Sequence, residues 1–257
     1  MIAITGFNGD VGSMLLSMFV ANGLECKKYD GELDGVDRIL HLAAKSPPAT
    51  YGEIVDSNII YLKELIKKAE ENGVRELIFF SAASIYGSLD VELATEDSPF
   101  QTPDIYGLSK ALGEEMLKSS NLKVLVIRFP AVLGLRNNTN ILARWYNKMK
   151  KNETIVYTNG CKLFNNFITI ESIFNFLREF KFCEKFDIVN LASQRTMSIS
   201  EITAFLKNTI GSSSQLIDGG SSPSFAISTE KAEEKYGFMP QDPQGALLSW
   251  IQKKETL

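Results

Sequence analysis

The sequence is short of histidine and cysteine, has no long apolar run and carries only a small acidic excess. Each shortage removes a class of function. A single histidine, His41, in 257 residues all but excludes a zinc site and a Ser-His-Asp hydrolase, since both lean on imidazoles set beside other reactive groups. His41 itself lies inside an apolar stretch. The three cysteines, Cys26, Cys161 and Cys183, are far apart and lack metal-ligand spacing, so reduced thiols of a cytoplasmic protein are expected. No apolar run approaches the length of a membrane span, and the N-terminal residues are expected to form the first strand, not a leader. A net charge of −4 offers no electrostatic reason for a nucleic-acid partner. The length supports a substantial core, as one domain or as a domain with a lobe.

What is present begins at the first residues. Ile2 to Thr5 form an apolar run fit for one buried parallel strand, and Val11, Met14, Leu15, Met18 and Phe19 then recur at helical spacing. Between them lie Gly6, Phe7, Asn8, Gly9, Asp10, Val11 and Gly12. A strand, a glycine turn and a helix N-terminus bring backbone N–H groups and the positive dipole end to one place, which is an anion site. In a dinucleotide-binding turn Gly6 permits the bend, Gly9 lets a pyrophosphate approach, and Gly12 allows helix and strand to pack closely. Three spaced glycines alone make only a loop; the flanking strand and helix supply the context.

A second strand is expected over Leu24 to Tyr29, closing at Asp30. An acid there, about twenty residues past the glycines, accepts the adenosine ribose hydroxyls and repels a 2′-phosphate, which favours NAD over NADP. Lys27 and Lys28 could neutralise such a phosphate, so NADP stays open, as does a plain turn role for Asp30 before Gly31. Gly31 to Asp37 is too short for a helix and a strand, so one βα unit is reduced or missing. The next strand, Arg38 to Ala44, ends in the small pair Ala43-Ala44, suited to a backbone lying against a cofactor. A helix is expected from about Thr50 to Asn72, with Ile54, Ile59, Leu62, Leu65, Ile66 and Ala69 as its apolar stripe. Glu76 to Gly87 reads as a buried strand running into small and hydroxyl residues. Asp104 is a plausible cap for the helix that follows it, in which Tyr106 and Lys110 stand one turn apart on one face. An ammonium beside a phenol favours the phenolate. Lowering a tyrosine from about 10 to near neutrality takes about 4 kcal/mol, which the lysine together with an oxidised nicotinamide could supply.

Together these stretches resemble the extended short-chain dehydrogenase/reductases, specifically the NAD-dependent epimerase/dehydratase group. The resemblance rests on the glycine loop, His41-Leu-Ala-Ala44, Asn58, Phe80-Ser-Ala-Ala-Ser-Ile-Tyr-Gly87 and Tyr106-x-x-x-Lys110. It extends to Val126–Gly134, Phe164–Ser172 and Ile227–Pro240, and so over nearly the whole chain. It implies an α/β Rossmann-type doubly wound parallel sheet with a small C-terminal substrate lobe. The core would be about 1–133 plus 166–192, and the lobe about 134–165 plus 193–257. It further implies NAD(P), a nucleotide-sugar substrate, and cofactor contacts from Leu42, Ala43, Ala44, Asn58, Ser81, Tyr106, Lys110, Phe129 and Val132. Tyr106 would be the general acid/base, and Lys110 would hold the nicotinamide ribose.

The departures from the pattern are informative. The usual triad hydroxyl is replaced by Ala82, leaving Ser84 to face substrate, with Ser81 turned toward the cofactor. The Ser84 position carries glutamate in dehydratases; with Ala83 and Ser84 no acid is supplied for dehydration. The Arg-Asp pair of the strand returning from the lobe reads Asn165-Asn166, and an expected asparagine reads Ala131. Arg136, Arg144, Lys148 and Lys162 remain as candidates for a phosphate grip, or as plain surface charges; Arg136 and Asn166 are expected at the substrate. The resemblance also implies a homodimer through two paired helices, with Tyr61, Leu65, Leu112 and Met116 as candidate apolar surface. The functional reading is a sugar oxidoreductase or epimerase. The alternatives are a reductase of another small carbonyl compound and a non-catalytic NAD(P)-binding protein.

Overall fold

The computed structural model describes residues 1–136 and 139–256. The first half runs β1 (Ile2–Thr5), α1 (Asp10–Ala21), β2 (Cys26–Lys28), β3 (Arg38–His41), α2 (Tyr51–Val55), α3 (Tyr61–Glu71), β4 (Glu76–Ala82), β5 (Leu93–Ala94), α4 (Ile105–Lys118) and β6 (Lys123–Phe129). The second half runs β7 (Ala131–Leu133), α5 (Ile141–Lys150), β8 (Ile155–Tyr157), β9 (Phe167–Thr169), α6 (Ile170–Glu179), β10 (Phe186–Asn190), α7 (Ile199–Ile210), β11 (Leu216–Asp218), β12 (Ala226–Ile227), α8 (Glu230–Tyr236) and α9 (Pro243–Glu255).

Six strands form a parallel sheet in the order β10-β6-β4-β3-β1-β2. Both faces are covered, so the strands read as near-continuous apolar runs. Ile4, Leu40, Ile78 and Ile127 point to α1 and α6, where Leu15, Phe19 and Phe174 pack on them. Ala3, Ile39, Leu77 and Val126 point to α3 and α4, meeting Leu62, Leu65 and Leu117. The strand order reverses between β1 and β3, and an open α/β sheet offers its ligand crevice at such a point. The expected shortfall after β2 is present: residues 31–37 form no helix or strand, and Leu33 and Val36 are buried in the sheet's flank. β2 itself is shorter than the apolar pattern suggests and forms the sheet edge.

The helix expected from Thr50 to Asn72 exists, with Thr50 and Glu53 forming a capping box. A π-type turn over Asp56–Ile60 interrupts it, with Asn58 at its centre. The lobe has its own core, in which Trp145, Tyr146 and Met149 of α5 pack with Ile202 and Leu206 of α7 and Leu247 and Trp250 of α9. The sequence-based lobe boundary includes a segment that packs with the sheet instead. Ala232 and Phe238 join the core beside Phe176, and Asp187 of β10 binds Lys231, Lys235 and Tyr236 at 2.6 Å each. Among the described residues no helix is long and apolar enough to cross a membrane, and no cluster of side chains could hold a metal ion.

Candidate functional site

The glycine loop is shaped by contacts that leave no room for side chains. Gly6 has φ +66°, and a Cβ there would lie 2.6 Å from the Ala43 nitrogen. A Cβ on Gly12 would lie 2.3 Å from the Gly6 carbonyl oxygen. Gly9 caps α1 without a side-chain hydrogen bond, so the first-turn N–H groups carry no internal cap. A Cβ on Gly9 would meet only the Gly6 oxygen, at 3.3 Å. The loop is thus a backbone cradle at a helix N-terminus, the chemistry that suits a pyrophosphate. Around it Asn8 is exposed, Val11 packs into the core, and Phe7 carries the Lys28 ammonium 5.5 Å from its ring centre. The Asp10 carboxylate, expected at the cofactor, accepts the Arg136 backbone N–H at 3.2 Å and fills the space beside Gly134. It joins the loop to the chain leaving β7.

Asp30 is exposed just past β2, and its Oδ1 accepts the Glu32 N–H at 3.1 Å. That bond, with Asp30's own backbone N–H, holds its carboxyl below the usual range. At the end of β3, Thr5 Oγ1 accepts the N–H groups of Leu42 and Ala43, both at 3.1 Å, and lies 2.8 Å from His41 Nδ1. The hydroxyl has one proton, which it gives to the imidazole. Burial pushes His41 down to about 3, so the ring is neutral and can accept that bond. Leu42 and Ala43 are thereby laid against Gly6, and Ala44 beyond them is exposed. Asn58 stabilises the next step of the loop: it accepts from Lys45 N at 2.8 Å and donates to Lys45 O and Ser109 Oγ, both at 2.9 Å. Its amide is spent on the protein, tying the Lys45 loop to α4.

The Asp104 carboxylate caps α4 through Gly107 N at 2.8 Å, as the sequence implies. Lys110 reaches from α4 to β4 to donate to Phe80 O at 2.8 Å, with its ammonium 5.7 Å from the Tyr106 ring centre. Burial draws Lys110 down to about 7, partly opposed by Glu114. Tyr106 moves the other way, to about 12, through burial and the nearby Asp104 charge. The chain by itself therefore keeps the phenol protonated, and lowering it takes a positive charge that Lys110 does not provide alone.

The strand end corrects one expectation. Ser81 does not turn toward the cofactor: its hydroxyl donates to Glu114 at 2.5 Å, and Glu114 forms a two-pronged pair with Arg128 at 3.1 and 2.7 Å. Arg128 also donates to Tyr86 Oη and Glu96 O. The sequence reading missed Glu114 and Arg128. The available signal was the third member of the helical spacing Tyr106, Lys110, Glu114. Ala82 and Ala83 bring no polar group, whereas Ser84 Oγ is buried with no hydrogen-bond partner. Ser84 lies against α4, since a Cβ on Gly107 would sit 2.5 Å from the Ser84 carbonyl oxygen. Phe129 packs on Phe80 at 4.8 Å, and Val132 borders the same core.

In the lobe, Asn165 is fully buried and ties two segments together, accepting from Ile227 N and donating to Ile227 O and Ser193 O. Asn166 donates to Phe225 O at 2.9 Å, and its own oxygen is buried without a partner. Arg136, Arg144 and Lys148 are exposed. Lys162 pairs with Asp90.

The sequence model of the NAD dependent epimerase/dehydratase family matches residues 25–167, more than half of the chain. The chain belongs to that family. Among related proteins, it is 30% identical over 133 residues to N-acetyl-alpha-D-glucosaminyl-diphospho-ditrans,octacis-undecaprenol 4-epimerase of Escherichia coli O157:H7, covering 48% of this chain and 38% of that one. It is 28% identical over 118 residues to uronate dehydrogenase of Pseudomonas syringae pv. tomato, covering 44% and 43%. The matched stretches thus span less than half of these relatives' length. In fold the chain is similar to UDP-glucuronic acid 4-epimerase from Bacillus cereus, solved in complex with NAD, with a TM-score of 0.83, 18% identity, and 98% and 99% of the two chains covered. For this family member the glycine cradle, the β3 end and the Tyr106 helix all lie at the carboxyl ends of one parallel sheet.

Proposed function

We propose that the chain is an NAD-dependent oxidoreductase or epimerase acting on a sugar, nucleotide-linked, with Tyr106 as general acid/base. The observation that carries this reading is the pairing of Tyr106 and Lys110 on α4, the start of which packs on Ser84 just past β4, in one chain with the backbone cradle of Gly6, Gly9 and Gly12 after β1. The cradle fits a dinucleotide pyrophosphate, and Asp30 fits the adenosine ribose hydroxyls. When bound, NAD supplies a reversible hydride acceptor. Tyr106 exchanges the proton of the reacting hydroxyl, Lys110 raises the positive potential at the phenol, and Ser84 holds the substrate oxygen. Ser84 takes that role because Ser81 is engaged by Glu114 and its own hydroxyl lacks a partner. Asn166, with its unpartnered oxygen, meets a polar group of the substrate. The relatives above act, by their names, on a diphospho-linked sugar and on a uronate, which supports a sugar substrate. A homodimer is part of the same proposal.

The test is single-turnover NADH formation by the NAD-loaded chain with UDP-, GDP- and dTDP-sugars. One of them is expected to give NADH. Silence with every sugar while NAD still binds would overturn the nucleotide-sugar reading and leave the two alternatives, a reductase of another small carbonyl compound and a non-catalytic NAD-binding protein. On the cofactor side, NAD(H) is expected to bind more tightly than NADP(H), and Asp30→Ala to narrow the gap in a fluorescence titration; tighter NADP(H) binding would shift attention to Lys27 and Lys28.

A further inference from the structure

We infer that Lys162 and Arg195 are an anion-binding pair for the diphosphate of the substrate, held by Asp90 and Glu92 as exchangeable internal counter-ions until that diphosphate takes their place. The inference rests on the nucleotide-sugar reading above and names which residues grip the substrate.

A cavity of about 440 Å³ lies between the loop after Gly87 and the lobe, and all four charged side chains line it. A second cavity of about 410 Å³ shares Phe164, Ile199, Ser224 and Phe225 with it. This second cavity is lined by Trp145, Tyr157 and Asn166 and by no charged side chain. The two make one groove with an aromatic end and a cationic end, a shape matched to a base and its phosphates. The groove borders the reacting centre: Phe225, common to both halves, packs on Tyr86 at 5.5 Å, two residues after Ser84. Asn165, the deep polar residue of the returning strand, is uncharged and consumed by Ile227 and Ser193, so it brings no cation to the groove.

The pairing is built to be exchanged. Lys162 stands 3.5 Å from Asp90, the two side chains 50% and 60% exposed, and it also donates to Ser224 Oγ at 3.1 Å. Arg195 stands 3.0 Å from Glu92, the two 31% and 86% exposed. Open, solvent-screened pairs of this kind are held only weakly. A diphosphate presents several charged oxygens to both cations at once and can engage the guanidinium with two parallel bonds, so it outcompetes two solvated carboxylates. Asp90 and Glu92 flank Val91 on one short loop, so the exchange frees a single segment. That segment stays attached through Ala226 N donating to Glu92 O at 3.1 Å and Ser224 N donating to Asp90 Oδ1 at 3.2 Å.

Calorimetry on the full NAD-loaded chain with UDP, inorganic pyrophosphate and uridine tests the pair. UDP is expected to bind, and Lys162→Gln with Arg195→Gln to weaken it by about tenfold or more, the scale of lost charge-assisted contacts. NAD and uridine affinities should not change. Asp90→Asn with Glu92→Gln is expected to do the opposite and tighten UDP about two- to fivefold, by removing the competing charges. A strap of purely structural value would weaken binding in both variants, and that result overturns the inference. UDP binding that ignores both variants also overturns it, while leaving the nucleotide-sugar reading intact. Pyrophosphate binding with the opposite-sign pattern, but no gain for UDP over pyrophosphate, supports the anion pair and defeats the nucleotide part. No binding of either UDP or pyrophosphate overturns the pair, and hydride chemistry is then judged separately by NADH formation.

Discussion

At the scale of single residues, burial rather than charge pairing sets the chemistry. His41 is enclosed between the rings of Tyr61 and Phe79, with Nδ1 on Thr5 and Nε2 without a partner. Its folded value of about 3 lies below the usual 6.5, so below about pH 6.5 the unfolded chain binds a proton that the folded chain refuses. Stability from this site is therefore full at neutral pH and declines as pH falls toward 3. His41→Phe keeps a stacked ring and removes that titration. Whatever offset the lost Thr5–His41 bond causes near pH 7, the variant is expected to gain on the parent by about 3 kcal/mol between pH 7 and pH 4, read by urea unfolding at both values. A parallel decline of the two proteins would contradict the assignment. The buried pair of Glu114 and Arg128, with side chains 4% and 3% exposed, is the reverse case. Arg128→Met leaves Glu114 buried without its counter-ion and is expected to cost about 3–5 kcal/mol in the same measurement.

At the scale of elements, the parts legible in the sequence were those encoded by neighbours. The glycine loop, the Asp104 cap and the missing unit after Asp30 follow from spacing, turn chemistry and length. The π-type turn was not legible, because its reason lies in the Asn58 amide meeting Lys45 and Ser109, which are distant in sequence. The orientation of Ser81 was misread for the same reason: Glu114, 33 residues away, claims its hydroxyl. Asn165 read as a lost phosphate grip, yet its contacts with Ser193 and Ile227 make it a cross-link between segments. Asn58→Ala tests the element account. It strips the Lys45 loop of its support and is expected to lower stability by about 1–3 kcal/mol and to weaken NAD binding. Unchanged NAD affinity in a folded variant would show that the loop holds its shape without Asn58.

At the scale of the whole molecule, the helices beside the sheet leave an apolar face exposed. Leu65, a candidate for intersubunit contact in the sequence, is buried within the chain, whereas Val55, Ile60, Leu108 and Leu112 are exposed on packed neighbouring helices and the turn between them. A homodimer through this face is expected by light scattering at micromolar concentration, and Leu108→Glu with Leu112→Glu is expected to yield monomers. A monomeric parent would contradict that assembly. The account as a whole turns on Tyr106. The most direct measurement is single-turnover NADH formation by the NAD-loaded parent and its Tyr106→Phe variant, using the nucleotide sugar that gives the largest signal. The account predicts a loss of at least about 10²-fold in the variant, with NAD affinity unchanged because the cradle and Lys110 remain. NADH formation by Tyr106→Phe at the parent's rate would contradict it.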